Sequence, residues 1–251
     1  MIRDREFFSP WGPVKMATRP GTTDELICRD VIENDTYRLN AIHCASPLIF
    51  DVGANIGAFS ALALQRWPDA EVIAFEPHPL NYGLLRHNVR GFNATAYLAA
   101  VFGWSLPQSV IVERPHDEAT EFGGWGLAQV PHHYEPDFVN EVGIHCDLID
   151  PETAFARARS TTRPVILKMD CEGAEFSIID GLSSESLRCI DYIVGEIHQN
   201  VFDLDYFQGS WSGFRGKLLE SFHCAELENR PTITGKLFTV MGFQKCKKKR
   251  Q

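Results

Sequence analysis

Two glycines and two polar side chains are closely spaced in the segment Asp51-Val52-Gly53-Ala54-Asn55-Ile56-Gly57, between an apolar run at 47–50 and a helix-like stretch at 59–67. Glycines at such a junction let the backbone turn tightly from a strand into a helix, whose N-terminus commonly cradles a nucleotide-like cofactor. The middle glycine of the dinucleotide motif, which lets the backbone approach a pyrophosphate, is replaced by Asn55. The segment therefore favours a cofactor without phosphate, such as S-adenosylmethionine. Its aminocarboxylate would lie on the loop amides, and its ammonium group would meet Asp51 directly or through water.

The next apolar strand, at 72–75, also ends in an acid. This acid is Glu76, which follows Gly57 by nineteen residues. A carboxylate at this place suits the two hydroxyls of a ribose. Pro77 and Pro79 stiffen the turn after it and hold the acid at the strand tip. The glycine loop and Glu76 together predict a cofactor-dependent enzyme; the alternative is a bare turn beside a surface glutamate.

Acids also follow a later apolar strand, at 165–170. Side chains alternate along a strand, so Lys168 and Asp170 are expected to project to the same side. Asp170 and Glu172 are then expected where a methyl group would be transferred. Glu175 begins a helix, where it either joins the site or only matches the helix dipole.

A third pair of chemically active residues, Glu196 and His198, ends the strand after that. Residues two apart share a face, and ligands of open α/β sheets bind at the carboxyl edge of the strands. An imidazole ordinarily titrates near neutrality, so His198 is a candidate general base, with a hydrogen-bonded structural histidine as the alternative. Asp170, Glu196 and His198 could also hold a divalent ion that polarises a hydroxyl, although this metal-assisted variant is not favoured.

These residues must be positioned by alternating strands and helices. The strands are short continuous apolar runs, which suit a parallel sheet covered on both faces. The predicted strands lie at 47–52, 71–76, 95–101, 110–113, 165–170, 191–198, 222–228 and 236–243, the last two adjacent, and the predicted helices at 58–67, 80–89 and 174–179.

Two segments stand outside this alternation. Residues 1–46 are predicted to be an N-terminal extension packing on the core, with turns followed by a helix over 24–37 that Thr22 or Thr23 caps. Residues 47–251 then form the catalytic domain. Within it, residues 114–145 break the rhythm and predict an insertion or lid over the strand ends, the kind of loop that usually carries substrate specificity.

Net charge, cysteine content and hydropathy limit which binding partners and which cellular compartment the sequence predicts. The 251-residue chain carries a net charge of −9, with 24 basic and 33 acidic residues, which disfavours nucleic acid and anionic membranes as partners. The basic tail at 245–250 is interpreted as a solvated terminus, with phosphate or lipid contact as the alternative. Seven cysteines without a Cys-x-x-Cys pair, and a charged start, predict reduced thiols in a cytoplasmic protein. No apolar run reaches membrane-spanning length, and the oligomeric state is left open.

Taken together, the motifs resemble those of the FkbM-type methyltransferases over about residues 20 to 245. The likeness is carried by Phe50-Asp51-Val52-Gly53-Ala54-Asn55-Ile56-Gly57, Ala74-Phe75-Glu76-Pro77-x-Pro79-x-Asn81, Asn88-Val89, Leu167-Lys168-Met169-Asp170-x-Glu172-Gly173-Ala174-Glu175 and Glu196-Ile197-His198. The resemblance implies an α/β class I methyltransferase (Rossmann-like) fold. This fold has a seven-stranded, mostly parallel sheet with the last strand antiparallel and helices on both faces.

The resemblance also implies S-adenosylmethionine as methyl donor and a hydroxyl of a sugar, glycan or natural product as acceptor. Carried over by motif, the cofactor-binding residues are Asp51, Gly53, Ala54, Asn55, Gly57, Glu76, Pro77, Ala100 and Asp170, and the catalytic residues are Asp170, Glu196 and His198. Protein or other small-molecule acceptors, a nicotinamide-dependent oxidoreductase and a non-catalytic cofactor-binding module remain as alternatives.

Overall fold

The computed structural model describes residues 2–103, 110–112, 126–128, 143–171, 173–199, 211–219, 222–231 and 237–245. Its strands are β1 (Arg3–Ser9), β2 (Gly12–Thr18), β3 (Leu48–Val52), β4 (Glu71–Phe75), β5 (Ala94–Tyr97), β6 (Ala99–Val101), β7 (Val110–Val112), β8 (Gly126–Ala128), β9 (Gly143–His145), β10 (Asp147–Ile149), β11 (Val165–Met169), β12 (Tyr192–Gln199), β13 (Phe222–Pro231) and β14 (Leu237–Lys245). Its α-helices are α1 (Asp24–Cys28), α2 (Ala58–Arg66), α3 (Pro79–Asn88), α4 (Pro151–Ala154), α5 (Glu175–Gly181), α6 (Ser184–Leu187) and α7 (Trp211–Leu219).

The central sheet has seven strands in the order β13-β14-β12-β11-β3-β4-β5. Strands β5, β4, β3, β11 and β12 run parallel to one another, whereas the last strand, β14, runs antiparallel to both β12 and β13. After β3 the chain adds β4 and β5 toward one edge of the sheet. It later adds β11 and β12 on the other side of β3. This arrangement confirms the predicted α/β class I methyltransferase fold.

Side chains that alternate along the inner strands feed two buried clusters, one on each face of the sheet. In β3, Phe50 packs with helices α5 and α7, whereas Ile49 packs on the opposite face with α2, α3 and the N-terminal hairpin. Strand β11 divides in the same way, with Leu167 on the first face and Ile166 on the second. Both faces are therefore covered, as the continuous apolar strands predict.

The N-terminal residues form more structure than the sequence predicts. Strands β1 and β2 pair as an antiparallel hairpin, and α1 ends at Cys28 instead of continuing to residue 37. A wide helical turn at Arg29–Glu33 follows, and left-handed backbone at Asp35 and Arg38 then breaks the helix. Thr23 occupies the N-cap position without a side-chain cap bond. The predicted single helix over 24–37 is thus wrong, while the division at residue 46 stays a prediction.

Two other predicted elements differ in the structure. The third strand is not continuous over 95–101, because the chain bends at Leu98 and β6 pairs in parallel with β10 instead of extending the central sheet. Strand β7 joins β8 and β9 in a small antiparallel sheet. The predicted insertion at 114–145 lies outside the described residues except for β8 and β9.

Asn88 at the end of α3 joins three parts of the fold. Its Oδ1 accepts a hydrogen bond from the Ala17 amide at 2.7 Å, and its Nδ2 donates to the carbonyls of Ile56 at 2.8 Å and Ala17 at 3.2 Å. Because these groups are buried, we expect Asn88→Ala to lower the free energy of unfolding by about 2–3 kcal/mol. Urea denaturation would measure the loss. Asn93→Ala is the control, since Asn93 donates one half-buried hydrogen bond to Ala70; equal losses for both variants would contradict the prediction.

Candidate active site

The candidate site lies where the strand order reverses, between β3 and β11. Open α/β sheets bind ligands outside the carboxyl ends of the strands at this point. The loop after β3 packs directly on the end of β11 there: a Cβ placed on Gly53 would lie 1.8 Å from the carbonyl oxygen of Asp170. Gly53 also has a φ of 71°, which L side chains rarely adopt. Only glycine allows the two strand ends to approach this closely.

The glycine loop satisfies its own backbone. Each amide of residues 53–57 already donates a hydrogen bond: two to the carbonyl of Phe75, one to the Glu76 carboxylate, one to the Asn55 side chain and one to the carbonyl of Ala54. An aminocarboxylate that lies on these amides would have to share or replace these bonds, and the predicted contact stays a prediction. Asn55 contributes by adopting a left-handed backbone with a φ of 50°, which asparagine tolerates better than most residues.

Glu76 is drawn into the same loop. Its Oε2 accepts from the Asn55 amide at 2.7 Å, its Oε1 accepts from the His78 amide at 2.9 Å, and the Asn81 side chain also hydrogen-bonds to it. Burial outweighs these bonds and raises the pKa of Glu76 to about 7. A carboxylate offers about four lone-pair positions, so one remains for a further donor such as a hydroxyl.

Asp51 is enclosed by protein groups. It is completely buried, accepts a hydrogen bond from Ser60 at 2.6 Å and pairs with the ammonium group of Lys168 at 3.2 Å. The predicted contact between Asp51 and a cofactor, directly or through water, stays a prediction, and in this structure Asp51 holds Lys168. Lys168 in turn donates to the carbonyl of Gly53 at 2.7 Å and supports the glycine loop from below.

Lys168 stays charged despite its burial. Burial alone would lower the pKa of this ammonium group, but Asp51 and Asp170 outweigh it, so the pKa is raised. The Nζ also lies 5.5 Å from the ring centre of Tyr37 and 5.9 Å from that of Phe59, within cation–π range. The sequence predicted which side of the strand Lys168 occupies, but it did not predict this role as the buried cation beneath the site.

Asp170 has a partner that the sequence analysis missed. The hydroxyl of Tyr37 donates a hydrogen bond to Asp170 Oδ2 at 2.5 Å. Burial, followed by the nearby charges of Asp170 and Glu196, raises the pKa of Tyr37 well above its usual range, so Tyr37 is a stable donor. The structure therefore brings Asp170 and Glu196 near one phenol. The only local signal was an aromatic residue at the end of the predicted first helix.

The turn after β11 is shaped by Glu175. Its two carboxylate oxygens accept from the amides of Cys171 at 2.8 Å and Gly173 at 2.9 Å, and the side chain is completely buried. Glu175 thus fixes the turn that follows Asp170, which goes beyond matching the helix dipole. Glu172, predicted beside the reacting centre, lies outside the described residues.

The remaining predicted residues are distributed around this centre. Ala54 and Gly57 lie in the glycine loop, Pro77 follows Glu76, and the buried Ala100 pairs with Leu148 in the small parallel sheet. The backbone of His198 lies near the carboxyl end of β12, opposite Phe238 of β14, but its side chain is outside the described part of the structure. Among the residues described, no group of three metal-ligating side chains comes together. The His198 side chain is not among the residues described, so the metal-assisted variant stays a prediction.

Known proteins share sequence similarity with a large part of the chain. Residues 51–215 match the family described as the methyltransferase FkbM domain. The chain is 26% identical over 209 residues to methyltransferase sdnD of Sordaria araneosa, covering 68% of this chain and 74% of that protein. It is 28% identical over 174 residues to methyltransferase 1 of Beauveria bassiana, covering 59% of this chain and 64% of that protein.

Solved structures show distant likenesses. A precorrin-6y C5,15-methyltransferase from Geobacter metallireducens aligns with a TM-score of 0.41 and 14% identity, over 91% of this chain and 92% of that one. TrmK of M. capricolum, solved with S-adenosyl-homocysteine, aligns with a TM-score of 0.43 and 9% identity, over 85% of this chain and 67% of that one. Separately, none of the helices in the described part of the chain is both long and apolar enough to cross a membrane.

Proposed function

Because this chain belongs to the FkbM methyltransferase family, we propose that it transfers a methyl group from S-adenosylmethionine to a hydroxyl of a sugar, glycan or other natural product. The observation that carries the proposal is the bond between the Asn55 amide and Glu76 Oε2, at 2.7 Å. This bond joins the glycine loop and the candidate ribose acid into one preformed unit beside the strand-order reversal. A second sheet-edge acid, Asp170, lies against the same loop.

The residues present fit such a cofactor. Glu76 keeps a lone-pair position for a ribose hydroxyl. The amides of residues 53–57 are hydrogen-bonded within the protein, unlike a backbone cradle of the pyrophosphate type. When bound, S-adenosylmethionine supplies an electrophilic methyl group on a sulfonium. The carboxylates of Glu76, Asp170 and Glu196 favour a cation in their vicinity.

The protein's part in the reaction is to bind, orient and accept a proton. An acceptor hydroxyl would lose its proton to Asp170 or to His198 as its oxygen bonds to the methyl carbon, while the carbon–sulfur bond of the donor breaks and S-adenosylhomocysteine leaves. Asp170 is already oriented by the Tyr37 hydroxyl. Most of the rate gain would come from holding donor and acceptor in near-attack geometry, which can replace about 7–11 kcal/mol of the barrier.

The test offers the full chain S-adenosylmethionine with a labelled methyl group and a panel of monosaccharides, glycosides and polyketide alcohols. We expect label on a hydroxyl oxygen of at least one acceptor, and binding of S-adenosylhomocysteine by calorimetry in preference to NAD. Transfer that stops after chelation and returns with a divalent ion would favour the metal-assisted variant. A chain that binds NAD but neither S-adenosyl compound would overturn the proposal.

One substitution separates binding from chemistry within that assay. We expect His198→Ala to lower turnover about 100-fold while changing the affinity for S-adenosylhomocysteine less than about twofold, as a general base would. His87→Ala is the matched control, because His87 is exposed on α3. Turnover that is unchanged in His198→Ala would leave Asp170 as the base.

A further inference from the structure

The N-terminal segment, defined as residues 3–41, is linked to the candidate site in three separate places, twice through an asparagine of α3 and once directly. The first contact is made by the main chain of β2. Ala17 exchanges hydrogen bonds with the Asn88 side chain in both directions, and the same side-chain amide donates to the Ile56 carbonyl at 2.8 Å. The glycine loop is thereby tied to the hairpin through one buried asparagine.

The second contact reaches the candidate ribose acid. Arg19 is fixed by three hydrogen bonds to the buried Asp24, at 2.8, 2.9 and 2.8 Å. Its Nη2 also donates to Asn81 Oδ1 at 2.8 Å, which leaves the Asn81 amide group to hydrogen-bond Glu76. Burial and the charge of Arg19 lower the pKa of His78 to about 4, so His78 stays neutral in this chain of contacts.

The third contact reaches the end of β11. Tyr37 donates its hydroxyl to Asp170, and its ring packs edge-on against Phe59 of α2 at 5.4 Å. Tyr37 lies in a turn in which Asp35 and Arg38 both adopt a left-handed backbone conformation, with φ of 48° and 51°. Such conformations are costly for residues other than glycine and cluster at functional sites.

We propose that the N-terminal segment is a working part of the cofactor site, so that its docking and the binding of an S-adenosyl cofactor stabilise each other. The inference rests on the proposed function. Tyr37 contacts Asp170 directly, whereas Ala17 and Arg19 are linked to the glycine loop and to Glu76 through Asn88 and Asn81. The family match begins only at residue 51. No part of the segment is therefore assigned to the site by that match.

The physical basis is a shared set of contacts. If the segment undocks, Asp170 loses Tyr37, and Asn88 and Asn81 lose the bonds that orient them toward Ile56 and Glu76. The cofactor would then meet groups that are held less firmly. A ligand that binds only the docked state shifts the docking equilibrium toward that state. By linkage, undocking lowers the affinity for the ligand by the same factor. The coupling can be measured from either side.

Hydrogen exchange on the full chain tests the coupling without any substitution, using S-adenosylhomocysteine as the probe. We expect the amides of Ala17, Arg19 and Leu39 to exchange more slowly as saturation rises, by up to about 100-fold at a ligand concentration about 100 times Kd. The Cys189 amide, which lies just after α6 and donates to the Ser186 carbonyl, is the internal control, and its exchange rate should not change. Binding without protection of the segment overturns this inference alone, whereas absence of binding overturns the proposed function as well.

Matched substitutions test the same coupling from the side of affinity. We expect Arg19→Met to weaken S-adenosylhomocysteine binding about tenfold, because Asn81 and Glu76 lose a charge-assisted support. Arg5→Met is the control: Arg5 lies in the same segment but pairs only with Glu25 among the contacts described for it, at an exposed position. Equal affinities for the two variants would overturn the inference. If Arg19→Met does not fold, the exchange result on the unmodified chain decides.

Discussion

Replacing Lys168 with methionine is expected to lower the free energy of unfolding by about 3–5 kcal/mol, because it strands a buried carboxylate. Asp51 is completely buried and has only Ser60 and Lys168 as described partners. Methionine fills a similar volume but carries no charge, so Asp51 would be left buried without its charged partner. Urea denaturation followed by circular dichroism would measure the loss.

Two further variants show whether the loss arises from the buried ion pair. Lys217→Met is the matched control, because Lys217 only donates to the carbonyl of Asp180 near the surface, and it should change stability by less than about 0.5 kcal/mol. Adding Asp51→Asn to Lys168→Met removes the stranded charge and should recover a large share of the loss, which a double-mutant cycle measures. A double variant as unstable as the sum of the single variants would show that the two side chains do not interact.

The expected loss has a functional side because Lys168 is also the support of the glycine loop. Its ammonium group donates to the Gly53 carbonyl at 2.7 Å, and its charge acts on Glu76 across the site. A buried charge pair seldom adds net stability over a well-packed apolar pair. The charge pair is therefore better explained by the role of Lys168 in positioning the Gly53 carbonyl than by a contribution to the stability of the core.

Local sequence patterns were sufficient to predict the inner strands and the acids at their ends. The helices α2 and α3 begin and end within one residue of the predicted bounds, since Pro68 and the apolar spacing act within a few residues. Glu76 and Asp170 are the residues immediately after the ends of β4 and β11. The patterns are reliable here because strands buried on both faces must be continuously apolar.

Contacts between distant segments could not be predicted in this way. Tyr37 and Asp170 are 133 residues apart, and nothing near Tyr37 distinguishes it from an aromatic residue on an ordinary helix. The hairpin of β1 and β2 did carry a signal, because Val14 and Met16 alternate with exposed Lys15 after a Ser9–Gly12 turn. The enclosure of Asp51 depends on Lys168, which is supplied by a neighbouring strand, so its lack of exposure becomes visible only once the strands are paired.

Replacing Glu76 with alanine is expected to weaken binding of S-adenosylhomocysteine about 100-fold or more. The substitution removes the acceptor for a ribose hydroxyl and also leaves the amides of Asn55 and His78 without partners. Calorimetry would measure the affinity. Glu71→Ala is the matched control, because Glu71 lies at the opposite end of the same strand and pairs with Arg157. An unchanged affinity in Glu76→Ala would remove Glu76 from the cofactor site.

The dependence of binding on pH tests Glu76 without disturbing the loop. Burial raises its pKa to about 7, so the unliganded site is mostly protonated at about pH 6 and mostly ionised at about pH 8. Only the ionised form accepts a hydrogen bond from a hydroxyl with both oxygens, so the affinity for S-adenosylhomocysteine should rise about tenfold between these pH values.

Since the folded state holds this proton more tightly than the unfolded chain, Glu76 contributes stability below about pH 4.5 that is lost as the pH rises through 7. Glu76→Gln cannot titrate, so it should bind more weakly and without this pH dependence; a retained tenfold rise would assign the titration to another group.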